Sequence, residues 1–317
     1  MGLLRPLAIY YQTRMKLAKL RIHLLPRRGW RVLDVGSGDG PTPAADVLCD
    51  RFVGDDAERT APLKLDRPFV SGDAQDLPFV DGAFDFVYCS HLLEHITDPT
   101  RAISELQRVA PAGYIEVPSE YLEKAAKSTA AHLWFVRQEN RTLVFSPKPA
   151  GTLDTLINVI FDELLMYKDD LYTAFHWARF YDLFNIRFVW RGTIPHRVEG
   201  SAQSVEVFSK GKEFLPSPER IARLRGTSKS ARAGDSAALS KTKGFIKHLI
   251  RLYYAAGKNF DYLDLLACPV CKKPLQRSTE LQRFICADCR KWYPWIEGIP
   301  CLIRAAAQNL DSSPGAR

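Results

Sequence analysis

Cys268-Pro-Val-Cys271 is followed by fourteen residues and then by Cys286-Ala-Asp-Cys289, the pattern C-x2-C-x14-C-x2-C. Chemistry rather than packing dictates that spacing. Two residues between thiols let a tight turn aim both sulfurs at one point, and two such knuckles complete a tetrahedral four-thiolate site. A closed site of this kind holds structural zinc and leaves no position for a substrate. Two disulfides in a secreted domain could use the same four residues. Cys49, Cys89 and Cys301, however, are scattered in apolar runs, which suits a reducing cytoplasm. Catalytic chemistry must be sought elsewhere in the chain.

With 317 residues the chain can bury one full-sized core and a smaller one. Its 46% hydrophobic and 25% charged residues are ordinary for a globular protein. No apolar run approaches the ~20 residues needed to cross a bilayer. Arg5, Pro6, Arg14 and Lys16 interrupt any signal-like stretch at the N-terminus, so a cytoplasmic location is expected. The net charge of +8 is unevenly placed. Residues 1–31 hold eight Lys/Arg and no acid, and residues 210–243 hold nine against three, which leaves the body acidic. A basic arm and a basic linker suggest peripheral contact with an anionic surface, membrane or nucleic acid, or simply a solvated face.

Along residues 3–25, Leu4, Ala8, Tyr11, Met15, Ala18, Ile22 and Leu25 recur at helical spacing, which predicts an amphipathic helix ended by Pro26. Strands follow at Arg31–Val35, Ala45–Asp50, Arg67–Ser71, Ala83–Cys89 and Gly113–Val117, with a helix over Thr100–Val109. Strands alternating with helices or loops predict a parallel sheet. From Pro118 to about Asp182 the sequence reads as mixed helix and loop rich in aromatics, with late strands at Asn185–Trp190 and Ser204–Phe208. The predicted domains are a basic helix (1–29), an α/β domain (30–209), a flexible basic linker with room for one short helix (210–243), a helix plus zinc ribbon (244–303) and a disordered tail (304–317).

The first strand runs into Gly36-Ser37-Gly38-Asp39-Gly40, where glycine allows dihedrals and backbone approach that other residues resist. Acids then stand at the ends of successive strands: Asp34, Asp50 and Asp73. In parallel sheets ligands bind at those carboxyl ends, where such carboxylates can hold an amine, ribose hydroxyls and an adenine amine.

VLDVGSGDG, GDAQDLPF and FDFVYCSHLLEH together resemble the class I S-adenosylmethionine-dependent methyltransferases over about Val32–Val117. The resemblance implies a Rossmann-like, mostly parallel sheet. It implies that Asp34, Gly36, Ser37 and Gly38 meet the methionine part of S-adenosylmethionine, that Asp50 holds the ribose, and that Asp73 and Ala74 hold the adenine. Ser90 and His91 would flank the sulfonium. Two departures stand out. Gly40 to Asp50 is too short for the family's first helix and carries Pro41 and Pro43, so Asp55 is an alternative ribose ligand; Pro111-Ala-Gly113 replaces Pro-Gly-Gly. LLACPVC and WYPWIEGIP resemble the small zinc-ribbon family that includes the activator subunit of tRNA, ribosome and translation-factor methyltransferases. That implies a module docking in cis on its own catalytic domain, with Trp292, Tyr293 and Trp295 as an apolar face.

Methyl transfer needs an aligned nucleophile, and a hydroxyl acceptor benefits from a base of near-neutral pKa. His132, His91 and His95 are the candidates, His132 first because it opens the region where the family places substrate recognition. The expected function is O-methylation of a small-molecule or glycan hydroxyl. Methylation of RNA and a non-catalytic cofactor-binding scaffold are the alternatives.

Overall fold

The computed structural model describes residues 4–54, 56, 59, 61–126, 131–149, 158, 161, 171–201, 215–226 and 237–310. Helix α1 (Leu4–His23) leads into β1 (Val32–Val35), β2 (Val47–Asp50), β3 (Phe69–Gly72), β4 (Phe86–Ser90), α2 (Pro99–Val109) and β5 (Ala112–Pro118). Asp98 caps α2 by accepting the Arg101 N–H at 3.0 Å. Pro99 occupies the first turn, where its missing N–H is not needed.

Strands β3-β2-β1-β4-β5 are mutually parallel, as the sequence implied. Alternation along them sends Leu33, Val35, Val47, Cys49, Val87 and Cys89 to one face, and Val32, Leu48, Phe86 and Tyr88 to the other. Both faces are apolar because both are covered.

Between Pro118 and Asp182 the expected mixture of helix and loop is only part of the outcome. After α3 (Glu120–Ala125) comes a hairpin, β6 (Trp134–Glu139) and β7 (Thr142–Pro147), then α4 (Leu171–Arg179) and α5 (Tyr181–Phe184). WFVRQE and TLVFSP carry β-branched and aromatic residues around an Asn140-Arg141 turn, with Asn140 at φ +55°. Strand β8 (Asn185–Arg191) joins β5 antiparallel, and β9 (His196–Val198) pairs with β7 to form a separate three-stranded sheet. The expected strand at Ser204–Phe208 lies outside the described residues, as does Asp55.

The expected flexible linker contains α6 (Pro218–Gly226), and α7 (Ala237–Ala255) begins well before the expected helix at Phe245. Both pack on the sheet. Ile221, Leu224, Ile250 and Tyr254 are buried with Val32, Leu48, Phe86 and Tyr88. They cover the face that a first crossover helix would cover, a helix that Pro41 and Pro43 prevent here. Tyr88 Oη donates to the Ile22 carbonyl at 2.6 Å and Tyr254 Oη to the Pro26 carbonyl at 2.9 Å, which ties the end of α1 and its exit to the same face.

The C-terminal module contains β10 (Gln276–Ser278), β11 (Arg283–Cys286), β12 (Lys291–Ile296), β13 (Ile299–Leu302) and the short β14 (Gln308–Asn309). β10 to β13 form an antiparallel run, and β13 then pairs in parallel with β3. One sheet therefore continues from the ribbon into the α/β domain. The expected tail starts too early: Ala306 is buried, Arg304 Nη2 reaches Asp76 Oδ1 at 2.7 Å, and β14 pairs with β12. Residues 311–317 lie outside the described residues.

Candidate cofactor and metal sites

The four knuckle cysteines bring their sulfurs together, Cys268 to Cys289 at 3.9 Å and Cys271 to Cys286 at 3.5 Å, with all four inside 4.8 Å. A tetrahedral zinc with bonds of ~2.3 Å needs sulfurs ~3.8 Å apart, so the donor set and its spacing fit structural zinc. Lys272 (φ +64°) and Arg290 (φ +50°), each just after a knuckle's second cysteine, take the left-handed conformation that turns the chain back. Tyr293 is fully buried, with Oη 3.4 Å from Cys268 Sγ. Trp295 packs on Phe284 with ring centroids 5.3 Å apart. Tyr293 and Phe284 belong to the apolar cluster that includes Leu33 and Val87, and Trp295 packs against it, while β13 makes the backbone junction with β3.

At the carboxyl ends of the parallel strands, Gly36 (φ +70°) and Gly38 (φ +50°) shape the turn after β1. A Cβ on Gly36 would stand 2.9 Å from Leu92 Cδ2. Ser37 is buried and its Oγ has no hydrogen-bond partner, a polar atom awaiting a ligand. Asp34 is buried beneath the turn and accepts the Thr42 N–H at 2.6 Å. Burial pushes its carboxyl up to about 7, against the opposing Thr42 bond and Arg67 charge. An ammonium group placed there would restore the carboxylate, which fits the methionine end of S-adenosylmethionine.

The other two acids are engaged. Asp50 accepts from Gly38 N (3.0 Å), Phe52 N (3.1 Å) and Arg59 Nη2 (2.6 Å). Asp73 caps the short turn Ala74–Asp76 through Gln75 N (2.9 Å) and meets Arg51 Nη1 at 3.0 Å. Ala74 stands on that turn, beside Asp73. A ribose or an adenine would take the place of arginine partners on these carboxylates. Arg51 and Arg59 gave no sign in the sequence, since neither is in a motif.

Ser90 ends β4, and His91 follows it at φ +52°, an unusual conformation for a side-chain-bearing residue at a strand end. His91 Nε2 lies 3.4 Å from Glu116 and Nδ1 3.6 Å from Glu94. Burial would lower the imidazole, but the two carboxylates prevail and raise it to about 10. For Glu116 burial acts upward, and donors from His91, Tyr114 and Tyr181 overcome it and hold the carboxyl down to about 2. Tyr181 Oη donates to Glu116 Oε1 at 2.5 Å. A carboxylate within the apolar run Gly113–Val117 was the available signal for this cluster.

His95 Nδ1 bonds the Ala131 carbonyl at 3.0 Å, and its ring meets His132 edge-on with centroids 4.6 Å apart. His132 Nδ1 lies 2.5 Å from Glu123 Oε1, and Glu123 also binds Lys148 at 2.7 Å. The structure thus brings His132, from a later segment, beside His91 and His95, the near neighbours of Glu94 in the sequence.

Residues 33–117 match the methyltransferase domain family, and residues 259–298 match the Trm112p-like protein family. The fold and the glycine turn agree: the chain carries a class I methyltransferase domain. Its C-terminal module belongs to the Trm112p-like family. A UPF0434 protein of Janthinobacterium sp. (strain Marseille) is 40% identical over 53 residues, 17% of this chain and 88% of that protein. A demethylmenaquinone methyltransferase of Beutenbergia cavernae is 40% identical over 104 residues, 30% of this chain and 42% of that one. An ajmaline N-methyltransferase of Rauvolfia serpentina is 34% identical over 154 residues, 38% and 52% of the two chains. The chain spans about half or less of the length of these two methyltransferases.

Proposed function

We propose that this chain is an S-adenosylmethionine-dependent methyltransferase that acts on a hydroxyl of a small molecule or glycan, in the cytoplasm, with its Trm112p-like module as a fixed part of the catalytic body. One observation carries the reading: the glycine turn with its unpartnered Ser37 Oγ, Asp34, Asp50, Asp73 and Ser90 stand together at the carboxyl ends of adjacent parallel strands. Bound there, the cofactor supplies an electrophilic methyl group. Asp34 would hold its amino group, Asp50 its ribose, Asp73 and Ala74 its adenine, and Ser90 and His91 would flank the sulfonium. The Glu116 and Glu94 carboxylates raise the His91 imidazole to about 10, which makes it a poor candidate for a proton acceptor near neutral pH. Acceptor activation falls to His132, oriented by Glu123, and to His95.

Relatives named for demethylmenaquinone and ajmaline support a small-molecule acceptor over RNA. Among the described residues no helix is long and apolar enough to cross a membrane. The basic α1 leaves contact with an anionic surface as a secondary reading. Calorimetry tests the cofactor: S-adenosylmethionine should bind the purified chain, and Asp73→Ala should weaken it. No binding to well-folded protein ends the methyltransferase reading. Binding without release of S-adenosylhomocysteine across hydroxyl, amine and RNA acceptors would favour the scaffold instead.

A further inference from the structure

We propose that Glu94, His95 and His132 form a second metal site, for a divalent first-row transition ion, separate from the four-thiolate zinc. One ligand atom from each of the three residues lies within 4.8 Å of the others. Glu94 is completely buried, and neither carboxylate oxygen has a hydrogen-bond partner. The His91 ring, 3.6 Å away, offsets part of the cost of burying this carboxylate, and an ion bonded to its oxygens would satisfy them directly. Two imidazole nitrogens, His91 Nδ1 at 3.6 Å and His95 Nε2 at 3.9 Å, face the carboxylate but stand beyond hydrogen-bond length.

The histidines are set as metal ligands are set. Each places Nδ1 against an oxygen, the Ala131 carbonyl for His95 and the Glu123 carboxylate for His132. Such outer partners fix ring orientation and direct the opposite nitrogen to an ion. The two segments are locked by the Leu133 N–H donating to the Glu94 carbonyl at 2.7 Å. Side-chain exposures of 22% for His95 and 19% for His132 leave a way in from solvent. Two imidazoles and one carboxylate suit zinc, iron(II), cobalt or manganese better than magnesium or calcium.

Three protein ligands leave positions open, unlike the closed cysteine site. If the hydroxyl-methylation reading holds, an acceptor oxygen fills one of them. With their free nitrogens on the ion, His132 and His95 would activate the acceptor through it and not as bases: the bound hydroxyl's pKa would fall and its proton would pass to solvent. The oxygen then forms the new O–C bond as the C–S bond breaks, releasing S-adenosylhomocysteine. Metal binding itself does not depend on that reading.

The test uses the full chain, saturated with zinc(II), desalted and analysed by native mass spectrometry, then repeated with cobalt(II). Two equivalents are expected. Glu94→Gln and His132→Ala should each hold one, with thiolate-to-cobalt absorption retained as proof that the ribbon is folded. S-adenosylmethionine affinity, read separately by calorimetry, reports on the methyltransferase reading alone. A single equivalent in the unmodified chain, or two equivalents retained in both variants, overturns the site.

Discussion

Cys301 of the ribbon stands in parallel register with Ser71 of β3, so a strand made late in the chain continues a sheet begun near its start. Apolar packing follows the same path. Leu266, Cys268, Phe284, Tyr293 and Leu302 share one cluster with Leu33, Val35 and Val87, while Ile299 and Cys301 share the other with Val32 and Leu48.

The two modules should therefore melt as one. Leu302→Ala should cost about 2–5 kcal/mol, the usual range for a buried large-to-small change, and should lower a single calorimetric transition. Two separable transitions would show that the ribbon folds independently.

Zinc should stabilise more than the ribbon. Cys271→Ser opens the tetrahedron, and apparent zinc contributions to peptide sites are ~10–16 kcal/mol. Because Cys268 and Cys286 lie in the core cluster that includes Leu33, the loss should reach the methyltransferase domain. Hydrogen exchange would read it as faster exchange in β3. Exchange there equal to that of the unmodified chain would confine zinc's role to the ribbon.

Asp34 gives a pH signature. Its folded pKa, about 7, exceeds its ordinary 3.8, so between those values the folded state holds a proton that the unfolded state has released. This group's contribution to stability is fullest at low pH and declines as pH rises through that window. Cofactor binding should run the other way. An ammonium requires ionised Asp34, so S-adenosylmethionine affinity should fall below pH 7, approaching tenfold per pH unit. Calorimetry in buffers of different ionisation heat should detect proton release at pH 6. Asp34→Asn should remove both slopes, and an unchanged slope would place the titrating group elsewhere.

Gly36→Ala should cripple the turn. The left-handed φ and the 2.9 Å approach to Leu92 both oppose a side chain, a strain of order 1–3 kcal/mol. Cofactor affinity should drop at least tenfold while zinc content stays constant. Wild-type affinity would mean that the turn does not touch the ligand.

The parallel strands were legible because continuous apolar runs bounded by glycine, proline and aspartate have few other solutions. The knuckles were legible because thiol spacing is a chemical requirement. What covers the sheet was not. Ile221 and Leu224 lie in a segment whose lysines, arginines and serines read as linker, and their burial depends on a face left open by Pro41 and Pro43 some 180 residues earlier. The β6–β7 hairpin was lost among aromatics that suit helix and strand alike. At the site, the glycines and Asp34 could be named from local pattern. Glu123, Glu116 and Arg59 could not, because their partners His132, His91 and Asp50 are chosen by the fold and not by spacing.

The β13–β3 junction also sets an order of events during synthesis. β3 ends at Gly72 and its partner at Leu302, so ~230 residues must be made before the edge is covered. At ~5–20 residues per second the nascent sheet waits on the order of ten to fifty seconds with a bare strand beside apolar neighbours. Ribosome-bound chains halted before residue 299 should therefore recruit chaperones, and chains extended past Leu302 should release them.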